Sequence, residues 1–300
     1  MSRSQVISTR SKGGNSLSIA EKRRKTPPVA LTIAGSDSGG GAGIQADLKA
    51  FSANRVFGTT VITAITAQNT HAVQASQAVD PELVGAQIRA VISDFIVRAA
   101  KTGMLPTAEI VNLVADFADK GAFEKLVVDP VLVSSTGSRL LDKDAESAYL
   151  ERLIPKATLI TPNLYEVKAL LGKVPTTLEE MIAAAREFKR MGPRYVLIKG
   201  GHLSGSESTD IFYDGQTILK LSASRIQTDN THGSGCTLSA AITANLAKGM
   251  DVTEAVKAAK IYITRTIKAG SLWQLGIGHG PVDQFIWASQ EDMNSSPPTA

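Results

Sequence analysis

A glycine-punctuated turn at residues 231–237 carries residue types that can bind an anion. It reads Thr-His-Gly-Ser-Gly-Cys-Thr, and an apolar, alanine-rich segment typical of a helix follows it. Because glycines leave backbone N–H groups exposed at a helix N-terminus, the N–H groups of residues 233–236 could converge on phosphate oxygen atoms. Cys236 has two interpretations: the helix N-terminus stabilises its thiolate, or the side chain is a small buried group.

A second glycine-rich loop, at residues 35–43, indicates a small-ligand site but does not name the ligand. Five of its nine residues are glycine, and a predicted helix begins directly after it. Residues 41–46 fit the dinucleotide-binding pattern G-x-G-x-x-A, which also needs an acidic residue at the end of the second strand. That strand ends in Ala-Gln-Asn-Thr at residues 67–70, and no Gly-Lys-Ser/Thr follows the loop as a P-loop would require.

Single polar residues follow three other predicted strands. Asp129 could help to hold a hydrated Mg²⁺ ion, because this ion prefers carboxylate and water oxygens. Lys199 is either an exposed lysine or a phosphate contact. Asn163 and Glu166 fit a helix capping box, and capping alone would explain both residues. The four histidines of the chain show no metal-ligand spacing.

An alternation of strand and helix patterns brings these residues together. Strands are predicted at residues 29–34, 59–67, 126–131, 158–161 and 195–198, with a hairpin at 210–221 that turns at Asp214-Gly215. Helices are predicted at residues 45–54, from 81 onwards, and at 107–120, 142–154, 163–171, 177–191, 234–248 and 252–269. Such alternation predicts a mainly parallel sheet covered on both faces, with ligands beyond the carboxyl ends of the strands. We expect one domain over residues 29–290.

Composition and charge restrict the class of protein. The 300 residues are 43% hydrophobic and 20% charged, as in soluble globular proteins. A single cysteine excludes an intrachain disulfide and a zinc site of clustered thiolates. No apolar run approaches the ~18 residues that indicate a membrane-spanning helix. Seven basic residues and one acidic residue lie in residues 1–28, so the remainder holds 25 basic and 27 acidic residues, which argues against nucleic-acid binding.

The two ends of the chain are predicted to lack ordered structure. Residues 1–28 form a basic extension without hydrophobic periodicity, and residues 291–300 form a loose tail. The extension lacks the apolar stretch of a secretory signal. We therefore expect a cytoplasmic protein, and targeting to an organelle by the extension stays open as an alternative.

Six segments together resemble the hydroxymethylpyrimidine/phosphomethylpyrimidine kinases of thiamine biosynthesis. They are residues 31–49, 61–70, 101–104 (Lys-Thr-Gly-Met), 160–166, 199–202 (Lys-Gly-Gly-His) and 230–240, in this order and without large gaps. The resemblance implies a ribokinase-like α/β fold of three layers, in which helices lie on both faces of a central, mostly parallel sheet. It also implies ATP and Mg²⁺ as cofactors, a small aminopyrimidine as the substrate, and a homodimer.

The resemblance further implies a role for each candidate residue. The pyrimidine would contact Gly35, Asp47, Gln68, Met104 and Val131, of which Asp47 and Gln68 would read its ring nitrogens and amino group. The nucleotide would contact Lys199, Asn163, Thr231 and Gly233, and Mg²⁺ would lie near Glu166 and Asp129. Catalysis would fall to Lys199 and to the hole for the transferred phosphoryl group, formed by Gly233, Ser234, Gly235 and Cys236.

The resulting prediction is an ATP-dependent kinase that carries out two successive reactions. It would phosphorylate the hydroxymethyl group of 4-amino-5-hydroxymethyl-2-methylpyrimidine, and then phosphorylate that monophosphate to the diphosphate. A pyridoxal kinase of the same fold is the nearest alternative, and Gln68 together with Asp47 argues against it. A catalytically inactive ligand-sensing relative is another, and the intact turn with Lys199 and Glu166 argues against that.

Overall fold

The described residues form a nine-stranded sheet whose central strands run parallel. The computed structural model describes residues 26–132 and 143–287. The strands are β1 (Val29–Asp37), β2 (Phe57–Gln68), β3 (Val73–Ala78), β4 (Val97–Thr102), β5 (Leu126–Val128), β6 (Leu159–Ile160), β7 (Tyr195–Ile198), β8 (Glu207–Tyr213) and β9 (Ile218–Ser224). Their order is β3-β2-β1-β4-β5-β6-β7-β8-β9, and the pairs β2–β3, β7–β8 and β8–β9 are antiparallel. The mainly parallel sheet expected from the sequence is confirmed.

Helices cover both faces of this sheet. They are α1 (Gly43–Ala53), α2 (Pro81–Asp94), α3 (Ala108–Asp119), α4 (Lys143–Ala148), α5 (Leu164–Leu171), α6 (Leu178–Arg190), α7 (Ser234–Ala247) and α8 (Val252–Gly270). One apolar core lies between the sheet and helices α1, α7 and α8. A second core lies between the opposite face of the sheet and the five helices from α2 through α6. The three-layer, ribokinase-like architecture is therefore confirmed. Within the described residues, none of the helices combines the length and apolar character that crossing a membrane requires.

The position of α7 follows from its small, buried side chains. Its residues from Thr237 to Ala247 are all buried, and it packs against β1, β4 and β5 as well as α1 and α8. β1 is an apolar run buried along almost its whole length, as expected for a strand between two helical layers. This packing fixes the start of α7 beside the carboxyl ends of the central strands.

Two strands, β3 and β4, have no counterpart among the predicted ones. β3 is a mostly exposed edge strand with the sequence Val-Gln-Ala-Ser-Gln-Ala, so it lacks an apolar face. β4 reads Val-Arg-Ala-Ala-Lys-Thr, and its last four residues are buried. The charged Lys101 among them interrupts the apolar pattern by which a buried strand is recognised in a sequence. A sequence pattern cannot recognise a buried strand when one of the buried residues is charged.

Other predicted boundaries shift. The strand predicted at residues 126–131 ends at Val128, before Asp129 and Pro130. The helix predicted at 142–154 begins outside the described residues, and beyond α4 it widens into a π-helical turn at Tyr149–Leu153. The terminal tail at 291–300 and all but residues 26–28 of the predicted extension also lie outside the described residues, so the domain boundaries stay predictions.

Candidate active site

A large cavity opens at the carboxyl edge of the sheet, where the parallel strands end. Its volume is about 1150 Å³, and the loops that follow β1, β4, β5, β6 and β7 form its walls together with the first turn of α7. All but one of the predicted site residues line it: Gly35, Gln68, Met104, Asp129, Val131, Asn163, Glu166, Lys199, Thr231, Gly233, Ser234, Gly235 and Cys236. The cavity lies where ligands bind in open parallel sheets.

The turn before α7 is packed against the glycine-rich loop at residues 35–43. Gly233 precedes α7 with a φ of 76°, a left-handed conformation that favours glycine. A side chain at this position would lie 1.8 Å from the carbonyl oxygen of Gly41. The ring of His232 lies behind Gly41 and leaves no room for a side chain there either. The two loops therefore hold the first turn of α7 in one geometry at the cavity wall.

A buried group of charges surrounds the amine of Lys199. Its Nζ lies 2.7 Å from Oδ1 of Asp129 and 3.7 Å from Oε2 of Glu166. Asp129 also accepts hydrogen bonds from Thr161 Oγ1 at 3.0 Å and from Ser239 Oγ at 2.9 Å. Burial would lower the pKa of Lys199, but the two carboxylates outweigh that effect and raise it. The amine of Lys199 thus stays protonated and keeps its positive charge at the cavity wall.

The capping box predicted for Asn163 and Glu166 is present. The Asn163 side chain accepts hydrogen bonds from the backbone N–H groups of Tyr165 and Glu166, both at 2.9 Å. Oε2 of Glu166 accepts one from the backbone of Asn163 at 2.6 Å. Burial raises the pKa of Glu166 to about 7, although Lys199 opposes this shift. Capping therefore positions a carboxyl group that titrates near neutral pH.

The two carboxylates beside Lys199 fit the demands of Mg²⁺. This ion is commonly bound by one or two carboxylates, with water and substrate phosphates as the other ligands. Asp129 and Glu166 already face one shared cation, the Lys199 amine. Among the described residues, no cluster of three or more His, Cys, Asp or Glu side chains could hold a metal ion. The donor set therefore suits an ion that arrives with a nucleotide, rather than one held by protein ligands alone.

Cys236 lies in the first turn of α7 and is partly buried. Burial raises the pKa of its thiol to about 12, and the positive charge of Lys101 offsets this only in part. The shift is opposite to the one expected from the helix N-terminus, because the loss of water around the sulfur outweighs the helix dipole. The raised pKa favours the second of the two interpretations, a small protonated side chain, over a stabilised thiolate.

One part of the cavity wall, named the apolar slot, is formed by the end of β1 and the loops after β4 and β5. Gly35, Met104 and Val131 line it. A side chain at Gly35 would lie 2.6 Å from Cε of Met104, so glycine allows the methionine to approach the backbone. A slot with an apolar wall suits the face of a flat aromatic ring.

Gln68 lines the same cavity and contacts His232, which in turn contacts Asp37. Its side-chain amide lies 3.3 Å from Nε2 of His232, which in turn lies 2.9 Å from Oδ2 of Asp37. Burial would raise the pKa of Asp37, but hydrogen bonds from His232 and from backbone N–H groups hold it below its ordinary value. The position of Asp37 inside a glycine-rich loop was the available signal for an N–H-binding carboxylate.

Asp47 is the predicted site residue that the structure places elsewhere. It lies on the buried face of α1, outside the cavity wall as described. Its Oδ2 accepts hydrogen bonds from Lys101 Nζ at 2.8 Å and from Thr32 Oγ1 at 2.6 Å, and its Oδ1 has no hydrogen-bond partner among the described residues. Burial would lower the pKa of Lys101, but Asp47 together with the other acidic groups nearby raises it above its ordinary value. The expected ring contact of Asp47 stays a prediction, and the contact that the structure shows is with the buried amine of Lys101.

A second set of polar contacts, also missed, fixes the loop that begins at Lys199. Asp210 accepts hydrogen bonds from the backbone of Gly200 and from Lys260 Nζ, both at 2.8 Å. Arg225 donates to the backbone carbonyl groups of residues 201, 203 and 205 in the loop and of residue 207 at the start of β8. These contacts join residues far apart in the chain, so spacing in the sequence carried no signal for them.

An anion-binding helix N-terminus, a lysine and two carboxylates at the carboxyl edge of a parallel sheet define an α/β phosphate-binding protein. The family model for phosphomethylpyrimidine kinase matches residues 37–283. The chain belongs to this family and is a phosphotransferase. The predicted family is thus confirmed.

Individual relatives agree with this assignment. The chain is 51% identical over 258 residues to a hydroxymethylpyrimidine/phosphomethylpyrimidine kinase of Rhizobium meliloti, covering 86% of this chain and 97% of the relative. It is 45% identical over 283 residues to the chloroplastic thiamine biosynthetic bifunctional enzyme TH1 of Arabidopsis thaliana, covering 93% of this chain but only 54% of that enzyme. A solved ADP complex of Bacillus subtilis pyridoxal kinase is similar, with a TM-score of 0.81 and 40% identity over 88% of this chain and 100% of that one.

Proposed function

We propose that this chain transfers the γ-phosphoryl group of ATP first to the hydroxymethyl oxygen of 4-amino-5-hydroxymethyl-2-methylpyrimidine, and then to the phosphate of that product. One observation carries the proposal: the anion-binding turn, the Lys199 group and the apolar slot share one cavity. The family and its relatives support the substrate class. In each reaction the acceptor oxygen bonds to the γ-phosphorus, the bond from that phosphorus to the bridging oxygen breaks, and ADP leaves.

The first turn of α7 and Lys199 stabilise the charge of the transferred group. The N–H groups of residues 233, 235 and 236 bind its oxygen atoms, because N–H groups at a helix start attract anions. The N–H of Ser234 already donates to the carbonyl oxygen of Thr231 at 3.1 Å. Lys199 Nζ lies 3.3 Å from the position that a Cβ atom at Gly235 would occupy, so it adjoins the first turn of α7. Its positive charge therefore faces the oxygen atoms of a phosphoryl group bound at that turn. Thr231 and Asn163, at the edges of this wall, contact the nucleotide. Positioning and charge stabilisation supply most of the catalysis in phosphoryl transfer.

Asp129 and Glu166 would hold the Mg²⁺ ion that accompanies the nucleotide. The ion supplies charge neutralisation at the phosphate oxygens when it is bound. Glu166 must be ionised for this role, and its pKa of about 7 places that ionisation near neutral pH. Lys199 keeps the two carboxylates apart and partly neutralised before the nucleotide binds.

The pyrimidine ring lies in the apolar slot, against Gly35, Met104 and Val131. Gln68 contacts its amino group and the adjacent ring nitrogen, because a side-chain amide offers a donor and an acceptor side by side. Cys236 acts through its backbone N–H group, since its thiol is protonated at neutral pH. In a loose transition state the proton of the acceptor hydroxyl leaves late, so a strong base is not required.

We also propose a homodimer located in the cytoplasm. The apolar side chains of Phe57 and Phe95 are both exposed and stack with ring centroids 6.0 Å apart, which gives a surface that a second copy could cover. Light scattering measures the mass in solution directly. A fluorescent fusion of the full-length chain tests the location, including the alternative of organelle targeting.

The experiment that tests the proposed function is ADP release with three acceptors. We expect turnover with the aminopyrimidine and with its monophosphate, and much slower turnover with pyridoxal. Lys199→Met should lower kcat by roughly 10²–10³-fold, as expected for the loss of a charge aimed at the transition state. Lys173→Met, which changes an exposed lysine, is the matched control. Turnover with pyridoxal alone would favour the pyridoxal kinase alternative, and no turnover with any acceptor would favour the ligand-sensing one.

A further inference from the structure

We infer that Asp37, His232 and Thr66 fix the orientation of the Gln68 side-chain amide, with its Oε1 toward His232 and its Nε2 toward Thr66. The two ends of an amide have the same shape, so the donors and acceptors around it decide which way it faces. The neighbours at both ends of the Gln68 side chain require the same orientation of its amide. The consequence for substrate choice rests on the proposed function, whereas the orientation itself does not.

The first requirement comes from Asp37. Its carboxylate accepts backbone hydrogen bonds from Gly39 at 2.8 Å, Gly41 at 3.1 Å and Ala42 at 2.8 Å, which favour the ionised form. An ionised carboxylate only accepts hydrogen bonds. Since Nε2 of His232 lies 2.9 Å from Oδ2 of Asp37, that nitrogen carries a proton and is a donor.

This proton determines what Gln68 presents to His232. The end of the amide that lies 3.3 Å from Nε2 of His232 is assigned as Nε2, the reverse of the inferred orientation. The NH₂ group at that place would set a donor against a donor, whereas Oε1 can share the N–H that Asp37 also accepts. The backbone of His232 is itself tied to the segment at residues 280–282 by two hydrogen bonds, so the ring is held in position.

The second requirement comes independently from Thr66. Its hydroxyl lies 3.0 Å from the carbonyl oxygen of Ser36, which can only accept, so the single hydroxyl hydrogen is used there. The other end of the Gln68 amide, assigned as Oε1, lies 3.3 Å from the same hydroxyl oxygen. That oxygen has lone pairs left but no hydrogen, so its partner must be the NH₂ group of Gln68.

The fixed amide gives the slot a fixed order of donor and acceptor. Gln68 then presents one remaining N–H and one remaining lone pair to a ring, in an order that it cannot reverse without two mismatched contacts. An aminopyrimidine offers an amino donor next to a ring-nitrogen acceptor, and the 4-oxo analogue offers the opposite order. A mismatched buried pair lowers affinity by roughly 10–100-fold. Asp37, His232 and Thr66 are thus positioning residues for substrate choice.

Neutron diffraction from the deuterated, substrate-free protein tests the orientation directly. We expect the ND₂ group of Gln68 beside Thr66 Oγ1 and a deuterium atom on Nε2 of His232. An ND₂ group that faces His232 would overturn the inference, whatever reaction the protein catalyses.

Substrate choice gives the second test, through the ratio of kcat/KM for the aminopyrimidine over its 4-oxo analogue. Thr66→Val and His232→Leu should each lower this ratio by about 10-fold or more, and Thr66→Ser should preserve it because the hydroxyl remains. A purely structural role would lower kcat/KM for both substrates and leave the ratio unchanged, and that result would refute the positioning role. Failure of the wild type to phosphorylate either pyrimidine would contradict the proposed function and not the amide orientation.

Discussion

Asp47→Asn separates a structural role of this carboxylate from a role in reading the substrate. Asp47 and Lys101 form an ion pair at 2.8 Å, and both side chains are 0% exposed. The variant keeps the shape of the side chain but leaves the Lys101 charge buried without a counter-charge. Breaking a buried pair in this way costs about 3–5 kcal/mol. Since whole domains are stable by only about 5–15 kcal/mol, we expect a large fall in the unfolding free energy.

Urea unfolding followed by circular dichroism measures this loss, and two further variants make it specific. Lys101→Met combined with Asp47→Asn should recover much of the stability, because the uncompensated charge is removed and methionine has similar length. Glu254→Gln breaks an exposed ion pair of the same length, with Lys257, and should change the stability very little.

The kinetics of the same variants test whether Asp47 has a structural role only. If Asp47 only balances Lys101, the KM for the pyrimidine should change little in Asp47→Asn protein that is still folded. A variant of wild-type stability with a strongly raised KM for the pyrimidine would refute this reasoning and restore the ring contact that the sequence resemblance implied.

Three further predictions test other parts of the site. Because burial raises the pKa of Cys236 to about 12, iodoacetamide should modify this sole cysteine slowly at pH 7.5, with a rate that rises about tenfold per pH unit; fast modification at pH 7.5 would indicate a thiolate. Burial raises the pKa of Glu166 from 4.5 to about 7, so the folded state retains a proton that the unfolded state releases, and stability should fall as pH rises from about 4.5 to 7, by at most ~1.4 kcal/mol per pH unit. Glu166→Gln should flatten that slope, and an unchanged slope would contradict the assignment. Gly233→Ala places a methyl group against the Gly41 carbonyl oxygen at a left-handed φ, so kcat should fall by at least 10-fold together with stability, and a fully active variant would show that the turn is not rigid.

The sequence predicted the parts of the site that depend on residues next to one another. Glycine turns, a lysine after a strand and a capping box are local patterns, so Gly233, Lys199 and Asn163 could be recognised and then placed by the strand order. The sheet and its two helical layers followed from the alternation of apolar strands and helices for the same reason.

The contacts that the sequence did not predict join distant parts of the chain. The pairing of Asp47 with Lys101 crosses from α1 to β4, and a charged residue inside β4 concealed both the strand and the ion pair. His232 reaches Asp37 across 195 positions, so neither residue alone suggested the other. The pKa of Cys236 depends on how much water the folded protein excludes, which no local pattern determines.

The central claim is transfer of the γ-phosphoryl group to a pyrimidine held in this cavity. Phosphorus NMR of a reaction that contains ATP, Mg²⁺ and 4-amino-5-hydroxymethyl-2-methylpyrimidine follows the product directly. We expect a phosphomonoester signal that appears together with ADP and then gives way to the two signals of a diphosphate ester. Hydrolysis of ATP without any phosphorylated pyrimidine, or a phosphomonoester that forms only when pyridoxal is supplied instead, would contradict the claim.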